Sequence, residues 1–323
     1  MANDNGKLTR RELGKRATIV GAAIAASSLN SASASGTLPR RKLGETGLDV
    51  SILGLGAAPL GQPFVDQAGA ARIIDALLEE GINYIDTAPI YGLSEIRLGK
   101  ALKGRRDKFV LVSKVEATSN QDATWQVGES LRKLQTDYLD LVHIHNVGRT
   151  DRFPDLDLLT GELGALQGLR DLKKKGKIRH IGMTCHLRPK RALPIMETGE
   201  IEVVMSAANF VELHTYNFEG TVFTEAKKRG MGIVAMKVLG GRVEEDKGKL
   251  SAHYDDAVRY ALGIPELSVA IMGMKNVAEV RQAAAAVRAY KPFSDQEISE
   301  LTRKGKEMAK DWGELRGPVA WES

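Results

Sequence analysis

Between residues 81 and 92 the chain reads Gly81-Ile82-Asn83-Tyr84-Ile85-Asp86-Thr87-Ala88-Pro89-Ile90-Tyr91-Gly92. Its first part is a short, largely apolar run, as expected of a strand that is buried on both faces. The run ends at an acidic residue, Asp86, and a phenol, Tyr91, follows five residues later in a segment rich in turn formers. The stretch therefore predicts a buried strand with polar chemistry placed just beyond its carboxyl end.

The same arrangement recurs at the next two strand-like runs. Residues 109–113 lead into Lys114, and residues 139–144 lead into His145. In a barrel of alternating strands and helices, the carboxyl ends of successive strands meet at one rim, where active sites lie. We therefore expect one pocket to contain four side chains as candidate catalytic groups: Asp86, Tyr91, Lys114 and His145.

Strand and helix patterns alternate along most of the chain. Eight strand-like runs cover residues 52–56, 82–86, 109–114, 139–144, 178–183, 201–206, 232–236 and 267–272. Helical periodicity is visible between several of them, as in residues 71–80, 222–229 and 257–262. This pattern predicts an α/β fold, a closed (β/α)8 TIM barrel.

Two additions and one alternative accompany the barrel. Residues 42–44 and 48–51 flank Glu45-Thr46-Gly47 and predict an N-terminal hairpin. Ser294 is a suitable N-cap for an extra C-terminal helix packed outside the barrel. The alternative is an open doubly wound sheet, but the glycines of residues 53–59 do not form a Gly-x-Gly-x-x-Gly turn leading into a helix.

Composition allows a single large globular domain. The chain has 323 residues, of which 43% are hydrophobic, enough for a sizeable core. Of the net charge of +5, the first 34 residues carry +3, which leaves +2 for the rest of the chain. The basic runs in that remainder are short, so no dense basic stripe is present and nucleic-acid binding is not expected. Cys185 is the only cysteine, so no intramolecular disulfide can form, and a buried, inert thiol is its expected state.

The N-terminus resembles an export signal. Residues 9–15 contain the Arg10-Arg11 pair typical of twin-arginine (Tat) signals, a weakly apolar run covers residues 17–26, and Ala32-Ser33-Ala34 suits a signal peptidase. The run is too short to span a bilayer stably. We therefore expect residues 1–35 to be a disordered signal peptide and residues 36–323 to be the barrel. The predicted location is periplasmic or secreted, with the twin-arginine export machinery as a partner, and the alternative is cytoplasmic.

From about residue 38 to residue 315 the sequence resembles the aldo-keto reductase superfamily. The motifs that carry the resemblance are residues 81–92, Val112-Ser113-Lys114, residues 139–145 and residues 176–182. Their order and spacing together are specific, whereas any one of them alone would be weak. The resemblance implies a nicotinamide-dependent oxidoreductase that interconverts aldehydes or ketones and alcohols by hydride transfer.

The resemblance also assigns roles to the four rim residues. Tyr91 is the proton donor, and an ammonium at Lys114 would lower the pKa of its phenol. Asp86 would keep Lys114 charged, and His145 would hydrogen-bond and orient the substrate oxygen. His143 and His145 share a strand face and could form half a metal site, but no suitably spaced third ligand completes it, so no metal is expected.

The cofactor is expected across the later loops of the rim, where barrels often bind phosphate. The resemblance places Lys275 and Arg281 at the adenosine 2′-phosphate, which favours NADP, with NAD as the alternative. The full set of expected cofactor-binding residues is Thr184, Asn209, Met236, Lys237, Leu239, Gly240, Gly241, Gly273, Lys275 and Arg281.

The chain departs from the best-known family pattern around the nicotinamide. Thr184-Cys185 replaces the usual Ser-Asn, Met205 stands where Gln is expected, and Met236 replaces a stacking aromatic residue. Ala284-Ala285 replaces the adenine-binding Glu-Asn, and residues 57–61 are similar to a branch acting on free sugars. The expected substrate is thus a small carbonyl compound or sugar. The rival function is a binding or sensor module that holds the nucleotide with little turnover.

Overall fold

Ten strands and ten α-helices lie in the residues that the computed structural model describes, 38–241 and 249–312. The strands are β1 Arg40–Lys42, β2 Asp49–Ser51, β3 Leu53–Gly56, β4 Tyr84–Asp86, β5 Val110–Val115, β6 Leu139–Ile144, β7 Ile178–Cys185, β8 Val203–Ala207, β9 Gly232–Met236 and β10 Val269–Gly273. The helices are α1 Gln67–Glu80, α2 Ser94–Ala101, α3 Asn120–Leu134, α4 Asp157–Thr160, α5 Ala165–Lys174, α6 Ala192–Glu197, α7 Thr224–Lys228, α8 Tyr254–Leu262, α9 Val277–Arg288 and α10 Asp295–Met308. The expected signal peptide lies outside the described residues.

Strands β3 to β10 form a closed barrel of parallel strands, in which β10 pairs with β3. The predicted (β/α)8 barrel is therefore confirmed, and the open sheet is excluded. The eight predicted strands are all present, with ends that differ by at most two residues. Closure removes both sheet edges, so every barrel strand has two hydrogen-bonded neighbours.

Alternate residues of the barrel strands fill its interior. Successive strand side chains point to opposite faces, so Tyr84, Val112 and Leu141 point inward while their neighbours pack against the helices. Gly54 makes room for the Tyr84 ring, because a Cβ at that position would lie 2.9 Å from it. The interior is therefore a packed core below the rim.

The predicted hairpin is present, with its first strand two residues earlier than expected. β1 and β2 pair antiparallel, and Leu43 and Val50 pack into the interior cluster with the first residues of the barrel strands. Gly44 has a φ of +54°, and its Cα approaches the backbone at Gly232 too closely for a Cβ. The turn between β1 and β2 covers residues 43–48, longer than the predicted Glu45-Thr46-Gly47. The hairpin lies at the amino-terminal end of the barrel, where Leu43 packs against Gly232.

The helices differ from the predicted segments mainly at their starts. α1 begins four residues before the predicted segment, where Asp66 caps it by accepting from the Gly69 N–H. The predicted helix over residues 222–229 is a π-turn, Glu219–Phe223, followed by the short α7. Ser294 caps α10 as predicted, and α10 packs outside the barrel against the carbonyl of Phe210, where Gly305 leaves room. Among the described residues no helix is long and apolar enough to cross a membrane.

Candidate active site

The carboxyl rim brings the four predicted catalytic side chains together. Asp86 ends β4, Lys114 is the fifth residue of β5, and His145 directly follows β6. All three point into the top of the barrel, since Lys114 and His145 alternate with outward-facing neighbours. Tyr91 comes from the loop after β4 and covers them from above, so residues that are 59 positions apart share one site.

The centre of the site is a buried ion pair. Lys114 Nζ lies 2.7 Å from Asp86 Oδ2 and donates a second hydrogen bond of 2.7 Å to the Thr87 carbonyl oxygen. Both side chains are at most 2% exposed. Burial alone would lower the pKa of Lys114, but the Asp86 carboxylate and the neighbouring phenol outweigh it, and the net direction is upward. Lys114 is therefore an ammonium at neutral pH.

Tyr91 lies directly over this ammonium. The distance from Lys114 Nζ to the centroid of the Tyr91 ring is 4.9 Å. Burial raises the pKa of the Tyr91 phenol, and the Lys114 ammonium works against that rise. Lys114 lowers the pKa of the Tyr91 phenol, as expected from the sequence, but burial raises this pKa by more. The phenol consequently keeps its proton at neutral pH, while the ammonium is ready to stabilise the phenolate.

The loop that carries Tyr91 is held by the barrel. Ser94 Oγ donates to the Ala57 carbonyl oxygen at 2.8 Å and lies 2.9 Å from the Thr87 hydroxyl. Gly61 packs so closely that an added Cβ would collide with the Tyr91 carbonyl oxygen at 1.6 Å. Tyr91 thus occupies a position set by the loop after β3 as well as by its own loop.

His145 completes the group from the neighbouring strand. Its ring is perpendicular to that of Tyr91, with 6.5 Å between the centroids. Its Nδ1 lies 3.3 Å from Glu116 Oε1, and its ring centroid lies 5.6 Å from that of His186. Burial lowers the pKa of His145, with Glu116 opposing the change, so the imidazole is neutral at neutral pH.

A cavity of about 560 Å³ opens beside these residues. Asp86, Tyr91 and His186 form one end of it, Met205, Met236 and Ile271 line its floor, and it continues along the carboxyl ends of β9 and β10. Volumes of roughly 300–1,000 Å³ are usual for cofactor and ligand sites. The predicted cofactor residues that line it are Met236, Lys237, Leu239, Gly241, Gly273 and Lys275.

Glycine conformations at the far end suit a bound dinucleotide. Gly240 and Gly241 have φ values of +81° and +78°, a region that residues with a Cβ rarely adopt. Gly241 lines the cavity, so a pyrophosphate can approach its backbone, whereas a Cβ at Gly240 would lie 2.7 Å from the Trp312 ring. Lys275 stands at the same end, so the residues present fit a nicotinamide dinucleotide lying from Lys275 to Tyr91.

Four of the predicted cofactor residues do not line this cavity: Thr184, Asn209, Gly240 and Arg281. The Thr184 hydroxyl accepts a 2.7 Å hydrogen bond from the Asn146 N–H. Asn209 donates to the Lys237 carbonyl oxygen at 3.0 Å and accepts from two backbone N–H groups. Lys237 has a φ of +55°, so Asn209 supports the strained turn after β9. Both side chains thus have structural partners in addition to their predicted role.

The two predicted phosphate-binding cations have acidic neighbours. Lys275 Nζ lies 3.8 Å from Glu279 Oε1, and Arg281 lies 3.4 Å from Glu79 on α1. Glu279 and Gln282 line the cavity and were not predicted from the sequence. Both residues lie in the first two turns of α9, which begins after the N-cap Asn276. An N-cap at Asn276 in the sequence would therefore have placed them near the start of this helix.

Other sequence-based expectations concern sulfur and metals. Cys185 is buried as expected, and burial raises the pKa of its thiol to about 12. His143 is fully buried below His145, and Gly182 makes room for its ring. Among residues 38–241 and 249–312 no group of three His, Cys, Asp or Glu side chains is placed to hold a metal ion.

A buried carboxylate–ammonium pair beneath a phenol, beside a cofactor-sized cavity on a barrel rim, can exchange a proton with a molecule bound in that cavity. The sequence profile of the Aldo/keto reductase family matches residues 52–256. The L-galactose dehydrogenase of Arabidopsis thaliana is 28% identical over 309 residues, covering 81% of this chain and 92% of that protein. The D-arabinose 1-dehydrogenase of Saccharomyces cerevisiae is 36% identical over 150 residues, covering 42% of this chain and 43% of that protein.

Solved structures agree with the sequence comparisons. The aldo-keto reductase AKR11C1 of Bacillus halodurans, in its holo form, superposes with a TM-score of 0.68 at 27% identity, covering 82% of this chain and 96% of that one. The chain belongs to the aldo/keto reductase family. It is an NAD(P)H-dependent oxidoreductase.

Proposed function

We propose that this enzyme interconverts aldehydes or ketones and the corresponding alcohols with NADP as its cofactor, and that Tyr91 donates the proton in the reducing direction. The observation that carries the proposal is the Lys114 ammonium, held 2.7 Å from Asp86 and 4.9 Å from the centre of the Tyr91 ring. Asp86 and the Thr87 carbonyl oxygen accept from two of the three N–H groups of the ammonium, which leaves the third for the Tyr91 phenol.

The proton chemistry follows from the pKa directions. The bound nicotinamide supplies or accepts the hydride. Tyr91 holds its proton at neutral pH because burial raises the pKa of its phenol, so it can donate to the negative charge that develops on the substrate oxygen. The Lys114 ammonium then stabilises the phenolate. Positioned acid–base groups of this kind typically contribute about 10²–10⁴-fold in rate.

The choice of NADP depends on Lys275 and Arg281. A phosphate placed between them would gain charge-assisted hydrogen bonds that NAD cannot make. Their present partners, Glu279 and Glu79, are carboxylates that an incoming phosphate would have to displace or share. We therefore expect the preference for NADP to be real but smaller than two unpaired cations would give.

A sugar is the substrate class that we favour. Two relatives are named as sugar dehydrogenases, and the match to L-galactose dehydrogenase covers 92% of that protein. Such a reaction would oxidise the lactol carbon of an aldose to a lactone at the same site. The test is to purify the mature protein, identify any bound nucleotide by mass and absorbance, and measure nicotinamide reduction with a panel of aldoses beside simple alcohols. Absence of turnover with every sugar and every aldehyde would reject the proposal.

The contacts of Thr184 and Asn209 support a second candidate, a module that holds the nucleotide with little turnover. Both side chains already bond the protein, so they offer less to the nicotinamide carboxamide than an unengaged Ser-Asn pair. A module of this kind would hold NADP mainly at its phosphate end, leave the nicotinamide poorly oriented for hydride transfer, and show a single slow turnover. Stopped-flow mixing of the NADPH complex with an aldehyde distinguishes this behaviour from steady turnover.

We also propose export by the twin-arginine route, because residues 9–34 combine the arginine pair, an apolar run and a small-residue site in the usual order. That route carries folded proteins, so the barrel could load its nucleotide inside the cell. Arg10→Lys with Arg11→Lys conserves charge and should trap the protein in the cytoplasm, whereas Arg16→Lys is the matched control. Equal recovery of all three proteins in the periplasm would contradict the proposal.

A further inference from the structure

One wall of the cavity is a short turn with an unfavourable backbone. Residues 237–241 follow β9 directly, and all of them except Gly240 line the cavity. Lys237 has a φ of +55°, a conformation that costs free energy in a residue with a Cβ and persists only where the surroundings hold it. Gly240 and Gly241, at +81° and +78°, lose more conformational freedom on ordering than other residues do. The turn therefore needs support from outside to keep one shape.

Trp312 packs against the outer side of this turn. Its side chain is buried at 3% exposure, and a Cβ at Gly240 would lie 2.7 Å from Cη2 of the indole. The Lys249 ammonium lies 4.8 Å from the centre of the Trp312 ring, and the next residue, Leu250, donates its N–H to the Leu239 carbonyl oxygen at 3.0 Å. A tryptophan from the end of the described chain thus covers the one residue of the turn that faces away from the cavity.

A buried carboxylate orients the indole. The Trp312 Nε1–H donates to Glu212 Oε1 at 3.3 Å, and Glu212 is 1% exposed. Its other oxygen, Oε2, accepts from the Thr215 hydroxyl at 2.9 Å, which fixes the plane of the carboxylate. The Glu212 N–H donates to Asn209 Oδ1 at 2.9 Å, and Asn209 in turn donates to the Lys237 carbonyl oxygen at 3.0 Å. Glu212 therefore connects the two supports of the turn, one at its first residue and one at its fourth.

We propose that Trp312 and Glu212 are positioning residues for the cofactor, which together hold residues 237–241 in the shape that binds the nucleotide. A wall that is ordered in advance spares the nucleotide the cost of ordering it, and this raises affinity. Neither residue is among the described residues that line the cavity, so their effect should fall on nucleotide affinity and not on the chemical step. The inference rests on the proposed function, since it concerns the cofactor of the same site.

Hydrogen exchange tests the support of the turn without any nucleotide. The Gly240 N–H donates to the Lys237 carbonyl oxygen at 2.8 Å, so its exchange rate reports opening of the turn. In Trp312→Ala this rate should rise about tenfold or more, because the turn loses its outer support. Trp312→Phe keeps a ring beside Gly240 without the N–H and should give an intermediate rate. The matched control is Phe109→Ala, which removes another buried aromatic side chain just before β5, at the opposite end of the barrel, and should leave this exchange rate unchanged.

Nucleotide affinity is the second readout, measured by fluorescence titration of NADPH below the unfolding transition of each variant. In Trp312→Ala the Kd should rise about tenfold, while kcat at saturating nucleotide stays within about twofold of the wild type. Glu212→Gln keeps an acceptor for the indole N–H and should retain the wild-type Kd, whereas Glu212→Leu removes it and should raise the Kd.

Two results would overturn the inference: a Kd and a Gly240 exchange rate in Trp312→Ala that equal those of the wild type, or the same rise in Kd in Phe109→Ala. If the wild type binds no nucleotide, the proposed function fails, but the exchange rate of the Gly240 N–H still decides whether Trp312 holds the turn.

Discussion

The two ends of the barrel each bury a carboxylate beside basic side chains, and they satisfy it differently. At the amino-terminal end, Asp140 Oδ2 accepts from Arg106 and from the Leu111 N–H, and Oδ1 accepts from Arg179. Both guanidinium groups also lie about 4 Å from the Tyr138 ring centre, at 4.3 and 4.1 Å. At the carboxyl end, Asp86 has one ammonium partner on Oδ2, and its Oδ1 has no hydrogen-bond partner among the described residues.

The difference separates a structural cluster from a reactive one. At the base, both carboxylate oxygens of Asp140 are paired. At the rim, the ammonium is shared between a carboxylate and a phenol, and the cavity opens directly beside them. A buried polar group without a partner costs free energy, so Asp86 carries a cost that Asp140, with both oxygens paired, does not. Substitutions at the two ends should therefore affect different properties.

The largest expected effect is on the rate of catalysis, when the Tyr91 hydroxyl at the rim is removed. Tyr91→Phe should reduce carbonyl reduction by about 10²-fold or more, because it removes the phenol that lies over the Lys114 ammonium. Nucleotide affinity and the unfolding midpoint should change little. Steady-state rates with an aldehyde and fluorescence titration of NADPH measure the two properties. Tyr138→Phe at the base is the matched control and should keep full activity; unchanged turnover in Tyr91→Phe would remove the phenol from its role.

At the base we expect the opposite: a loss of stability without a loss of turnover. Asp140→Ala leaves two arginines without their carboxylate and should lower the free energy of unfolding by about 3 kcal/mol, the lower end for a broken buried pair because Arg179 is half exposed. The turnover of the folded fraction should stay near that of the wild type. Urea unfolding measures the change. Asp151→Ala, which breaks an exposed pair with Arg149, should cost almost nothing, and a similar loss in both variants would show that burial is not the cause.

A smaller effect is expected where the rim meets the cofactor. Replacing Lys275 and Arg281 together by Ala should erase about tenfold or more of the preference for NADPH over NADH, since each charge-assisted contact is worth roughly 1.5–3 kcal/mol. Glu279→Gln releases Lys275 from its carboxylate neighbour and should increase the preference. Titration of both nucleotides into each variant measures it, with Arg132→Ala on α3 as the control. Equal wild-type affinities for the two nucleotides would reject the assignment.

A further effect, visible as a pH dependence, concerns acid stability at the base. Burial would raise the pKa of Glu202, but hydrogen bonds from His180, Lys173 and the Ile181 N–H outweigh it and lower this pKa to about 2. A depressed carboxylate pKa stabilises the fold above the unfolded-state value and loses that contribution as pH falls towards the folded-state value. Glu202→Gln should therefore be less stable than the wild type at pH 6, with the difference shrinking as the pH falls from about 4.5 towards 2. Urea unfolding at several pH values follows it, and a difference independent of pH would contradict the charge as its source.

Most of the barrel and the core of the site could be predicted from the sequence. Strands β6 and β9 have the predicted bounds, because their apolar runs begin and end abruptly at polar or glycine residues. Strands β4, β8 and β10 begin two residues later than predicted, since apolar side chains such as Ile82 and Ile201 are buried outside the ladder. Burial alone does not distinguish a residue of the strand ladder from a buried neighbour, so the sequence pattern extends these strands too far at their amino ends.

For this protein the sequence by itself determined the strand–helix alternation, the order of the rim residues and the family to which they point. The spacing of the apolar residues and the polar residues at the strand ends are local features, so they can be read from the sequence alone. Only the tertiary structure decided that burial outweighs Lys114 in the pKa of Tyr91, that Asn209 supports Lys237, and that Glu116 faces His145. Each of these depends on distances between side chains brought together by barrel closure, and such distances have no counterpart in the spacing of residues along the chain.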